Sequence, residues 1–164
     1  MDLAWLFPYI LFLHVIGAIA AFGPVFAFPF IGAMGGREPQ HANFGTRVSA
    51  AISDRLVLPL AIVQGVTGVL LILISGRDIM APASRWLLLA IVLYVIALGF
   101  ALFVQRRHVR KIIELTSAPP PPDAKGPPPG LMEEARAVRR GGMFSLVLIV
   151  TIVFLMVVKP SLGG

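Results

Sequence analysis

From Leu3 to Met34 the chain runs thirty-two residues without a Lys, Arg, Asp or Glu, and a single imidazole, His14, stands inside the run. About 18 consecutive apolar residues already argue for a membrane span. As one helix, at ~1.5 Å per residue, the run would measure about 48 Å, more than the ~30 Å hydrocarbon core. It must tilt, bend or end early, and Gly23-Pro24 and Pro29 are the places where a helix does so most readily. The imidazole is the odd group out. An ionisable residue inside a span is rare and is read by default as functional, with a partner to be named.

Composition agrees with the run. Apolar residues make up 57% of the chain and charged residues 13%, against ~45–50% and ~25% in a soluble domain. The 164 residues allow one integral membrane domain, 1–164, of three to five spans. Without cysteine there is no disulfide, thiolate metal site or cysteine nucleophile. The net charge of +6 belongs first to topology and lipid head groups, so nucleic acid is not an expected partner. Ala18-Ile19-Ala20 has the form of a signal-peptide cleavage site. The absence of a basic n-region and the apolar run beyond it favour a retained span.

The first span is predicted at 4–31, where His14, Gly17, Ala18 and Ala21 form one stripe at i, i+3, i+4 and i+7. Small residues at that spacing let another helix approach closely. Gly35 to Ser53 reads as a polar connection, with Phe44, Val48 and Ile52 on the apolar face of a short surface helix. Ser53 then reads as an N-cap, with Asp54 in the first turn. The second span, 55–75, repeats the stripe in Ala61, Gln64, Gly65 and Gly68; the third, 85–105, holds Tyr94 and the small pair Ala97 and Ala101.

The third span exits into a basic run. Residues 117–130, with proline at 119–122 and 127–129, read as a disordered linker. Helical pattern resumes at Leu131, a bend is expected at Gly141-Gly142, and the last span covers 143–158 before Lys159-Pro160. The fold class is all-α: an antiparallel transmembrane four-helix bundle with a Pro-rich cytoplasmic linker before the last helix.

Counting Lys and Arg orients the bundle. The 35–55 and 105–142 segments carry eleven, and the remaining segments three, so the positive-inside rule places the first set in the cytoplasm and both termini outside. The expected location is the bacterial inner membrane. His14, Gln64, Tyr94 and Thr151 then fall near the midplane, which predicts an intramembrane polar layer whose members hydrogen-bond one another. Arg106, Arg107, Arg110 and Lys111 form a lipid head-group anchor on the anionic cytoplasmic leaflet.

Several stretches in this order carry a resemblance. They are Leu13-His14-Val15-Ile16-Gly17-Ala18, Asp54 to Pro59 followed by Gly65-Val66-Thr67-Gly68, Trp86, and Met156 to Pro160. Together they resemble a bacterial family of small four-span proteins described only as predicted integral membrane proteins of unknown function. The Leu-His-x-x-Gly of the first span is also similar to that of copper-resistance D-type membrane proteins and of haem-binding membrane protoporphyrinogen oxidases. The second of these likenesses implies haem b at His14. The membrane-embedded lysine of those groups has no counterpart, because Lys111, Lys125 and Lys159 lie outside the spans.

No carboxylate falls inside a span, so catalysis would rest on His14 alone, and the expectation leans away from an enzyme. The six Met and three His show no clustered ligand spacing, so no metal site is expected. The reading is a structural or accessory membrane component with no expected cofactor. Its partners are the bilayer and a further membrane protein or a second copy. The alternative is a haem-b redox or haem-pathway protein using His14.

Overall fold

The computed structural model describes residues 3–118 and 126–161, which form helices and no strand. Four helical runs carry the chain back and forth: α1, Ala4–Arg37; α2, Pro39–Ser75; α3, Pro82–Leu115; and α4, Leu131–Val158. Each is long and apolar enough to cross a bilayer. At ~1.5 Å per residue the shortest reaches about 42 Å, so every helix overhangs a ~30 Å core. One end of the bundle, the tryptophan end, carries the 75–82 reversal and Trp86. The other, the arginine end, carries the reversal at Glu38 and the basic run from Arg106.

The long first run is accommodated by a change of pitch. It is α-helical over Phe7–Phe22, tightens to a 3₁₀ turn at Gly23–Phe26 with Pro24 near its start, and resumes at Phe28–Arg37 with Pro29 in the first turn. Both prolines thus sit where a missing N–H costs least. Two other helices widen instead, into single π turns at Ser53–Val57 in α2 and Ala101–Gln105 in α3.

Four local expectations are corrected. The polar connection 35–53 is mostly helix, and Glu38 alone (φ −126°, ψ 75°) separates α1 from α2. Its 42–52 segment is the first part of α2 and not a separate surface helix. Ser53 is therefore no N-cap: it lies within the helix, and Asp54 lies in the π turn. The physical reason is a tight hairpin. Gly35 lies so close to Ala42, and Gly45 to Ile31, that an added Cβ would come within 3.3 Å of each. The 28–37 and 42–52 segments pack along one another, with Val48 and Ile52 half-buried, and tertiary packing outweighs the local cap signal. Helix α4 likewise runs through Gly141-Gly142 without a break, and Gly141 is buried against its neighbour. Within the 117–130 linker, residues 119–125 lie outside the described residues.

Helix α1 packs along α2, and α3 along α4. The pairs join toward the arginine end, where the 42–52 segment of α2 meets the 106–115 segment of α3, and α1 meets α4 from Gly23 onward. The stripes of small residues mark the first seam: Gly17 and Ala21 of α1 are buried, as are Ala61 and Gln64 of α2. At the tryptophan end Trp86, Leu87 and Ala90 of α3 pack with Leu155 of α4 and with Ile72 of α2. Trp5, at the same end, is 65% exposed where Trp86 is 7%. The Arg77 guanidinium and the Lys159 ammonium each lie 5.9 Å from the Trp86 ring centre, within cation–π reach. Lys159 adopts φ 46° as the cap of α4, a left-handed turn that ends the helix before Pro160. Elsewhere the bundle presents Phe12, Ile19, Leu73, Val95, Phe103 and Val157 outward, the surface of a protein solvated by lipid tails.

Candidate functional site

His14 reaches α2 with both ring nitrogens. Nδ1 lies 2.9 Å from Thr67 Oγ1, and Nε2 lies 3.0 Å from Gln64 Nε2. The direction of each bond follows from its far end. The Gln64 amide nitrogen can only donate, so Nε2 of the ring accepts. The Thr67 hydroxyl donates to the backbone carbonyls of Val63 and Gln64, each at 3.1 Å, so it accepts from Nδ1–H. The proton therefore sits on Nδ1, the imidazole is neutral, and the chain of donors ends on the α2 backbone. A neutral ring with both nitrogens bonded suits a medium where an unpaired polar group is costly.

Two glycines make room for it. Gly68 lies under the ring, where an added Cβ would be 3.3 Å from His14 Cε1. Gly17 faces the Gln64 side chain, and a Cβ there would be 2.9 Å from Oε1. That oxygen is buried and accepts no N–H or O–H bond among the described residues. Its neighbour is the backbone of Gly17.

The other two members of the expected layer lie elsewhere. The Tyr94 hydroxyl donates to the Ala61 carbonyl at 2.7 Å and so ties α3 to α2, but it does not bond His14. Gly65 admits the phenol: a Cβ there would come within 2.6 Å of its oxygen. Thr151 donates to Val147 O of its own helix at 2.8 Å. Thr67, which sequence reasoning did not assign, completes the seam, and its signal was its place three residues after Gln64 on the same face.

A second polar group gathers at the arginine end, where Asp54 of the α2 π turn meets Arg106 just after the π turn of α3. Arg106 pairs with Asp54: Nη2 donates to Oδ2 at 3.2 Å, and Nε lies 3.1 Å from Oδ1 as an ion-pair contact without the alignment of a hydrogen bond. Gln105, the last residue of its π turn, donates to Val138 O of α4 at 3.0 Å and lies against Gly141. His108 Nδ1 meets Glu134 Oε2 of α4 at 2.6 Å, and Asn43 donates to Ile113 O and Thr116 Oγ1. Of the four cations expected to anchor lipid, Arg106 is thus committed within the bundle, and Lys111 leans on Glu114 at 3.3 Å. Among the described residues no three His, Asp or Glu side chains are grouped to hold a metal ion.

Four apolar helices with a lipid-facing surface and an uncharged polar seam define an integral membrane bundle. The chain belongs to the family described as Predicted integral membrane protein (DUF2269), whose model matches residues 8–160. The match spans all four helices. No curated protein and no solved structure matches the chain.

Proposed function

We infer that the chain is a structural or accessory component of the bacterial inner membrane, with both termini outside the cytoplasm, and that His14 serves assembly rather than catalysis or cofactor binding. The observation that carries this reading is the use of both imidazole nitrogens by α2. An axial haem ligand needs one nitrogen free and pointing at open space, and here each is aimed at a side chain of the neighbouring helix. The sidedness rests on eleven Lys and Arg in the 35–55 and 105–142 segments against three elsewhere.

The absorption spectrum of the purified protein tests the first part. The expected protein is colourless, and its His14→Gln variant keeps most of its stability. A stoichiometric Soret band lost in His14→Ala and not regained in His14→Gln would make the chain a haem protein. Phosphatase fusions test the second part, with activity expected at Gly164 and none at Ala124. The reverse pattern would invert the topology.

A further inference from the structure

Toward the arginine end of α3, Phe103, Arg107 and Arg110 follow one another at i, i+4 and i+7 on a single stripe. Phe103 is 77% exposed, so the stripe begins on the lipid-facing surface. The charged neighbours are largely accounted for. Arg106 is held by Asp54, Lys111 by Glu114, and Glu134 by His108. Arg107 and Arg110 make no side-chain bond or ion pair among the described residues, and both are exposed. They border a cavity of about 510 Å³ at the arginine end, whose other walls include Leu102, Phe103, His108 and Glu134.

We propose that this cavity binds an anionic phospholipid, its phosphate held by Arg107 and Arg110 and an acyl chain lying along Leu102 and Phe103. Guanidinium forks match phosphate oxygens two by two, and their weak hydration suits a site at the edge of the hydrocarbon. Phe103 stands one helical turn, ~5.4 Å, toward the membrane from Arg107, the direction in which the glycerol and the first methylenes leave a phosphate. A free anion would use the arginines and leave the apolar wall idle. A basic run acting only as a topology anchor needs charge anywhere on this end, and Arg136 and Arg139 of α4 supply that equally well.

Native mass spectrometry of the full chain, released from mixed phosphatidylglycerol and phosphatidylcholine vesicles, tests the site. The wild type is expected to retain phosphatidylglycerol selectively. In Arg107→Gln/Arg110→Gln that selectivity falls by roughly 30-fold, the factor two interfacial guanidiniums are expected to supply. Arg136→Gln/Arg139→Gln, the same change of charge on exposed positions of α4, keeps it. Equal retention of the two lipids by the wild type, or equal loss in the two variants, overturns the proposal. So does saturable binding of inorganic phosphate, followed by phosphorus NMR, that abolishes lipid retention at millimolar concentration, because that assigns the cavity to a free anion.

Discussion

The α1–α2 and α3–α4 seams both place a glutamine amide across a helix contact, at different depths and with different outcomes. In each, the carbonyl oxygen lies over a glycine of the neighbouring helix: Gln64 over Gly17, Gln105 over Gly141. In each, the amide nitrogen donates at 3.0 Å, Gln64 to the His14 ring and Gln105 to the Val138 carbonyl. The deep seam closes on a side chain, which needs a partner of its own and finds it in Thr67. The seam at the arginine end closes on backbone, beside the Asp54–Arg106 ion pair. Backbone can receive such a bond when a glycine follows the carbonyl by three or four residues and leaves it uncovered. Gly141 does this for Val138, and Gly65 does it for Ala61 beneath Tyr94. Gly17, Gly65, Gly68 and Gly141 therefore serve contact and donor access.

The largest expected effect comes from filling that access. Gly141→Leu drives a side chain into Gln105 and toward Phe100 Cζ, already 3.0 Å from an ideal Cβ. Overpacking of this kind costs about 3 kcal/mol or more. Denaturant titration in micelles is expected to show that loss, and a near-neutral result would mean that the α3–α4 seam is loosely packed. Gly65→Ala follows, at about 1–3 kcal/mol, because the tyrosine ring and its 2.7 Å bond to Ala61 resist displacement.

His14→Ala removes two cross-helix bonds, each worth ~0.6 kcal/mol in a membrane bundle, and leaves a small cavity, for about 1–2 kcal/mol in all. His14→Gln is expected to recover about half of this by keeping one bond. A double-mutant cycle between His14 and Gln64 is expected to couple by ~0.6 kcal/mol, and one between His14 and Thr151 by ~0. Coupling to Thr151 of the same size as to Gln64 would contradict the separation of the two seams. Tyr94→Phe removes one bond and is expected to cost ~0.6 kcal/mol. Thr151→Val, which disturbs a bond within one helix, is expected to change stability by less than ~0.5 kcal/mol. That near-silence is the smallest and most specific check on the assignment.

What the chain determines by itself is four long apolar helices and the stripes of small residues along them. Length, charge and helical spacing act along one helix at a time, and counting residues from an end gives an expected depth. That is why His14, Gln64, Tyr94 and Thr151 are expected at one level from residue numbers alone. Which of them meet depends on azimuth, and azimuth depends on which helices are neighbours. Helix α1 lies along α2, so His14 finds Gln64 and Thr67, while Tyr94 reaches the carbonyl uncovered by Gly65. Thr151 always has a carbonyl four residues back and needs no neighbour at all. The same distinction explains Ser53-Asp54. A cap is a local signal, and the helix runs through it because the Gly35–Ala42 and Ile31–Gly45 contacts pack the segment before it against α1. Arg106 has the composition of a lipid anchor, yet it is held by a carboxylate fifty-two residues away that the folding of α2 against α3 brings within 3.2 Å. A long-range pairing of that kind has no period in the sequence, and the packing of the helices decides it.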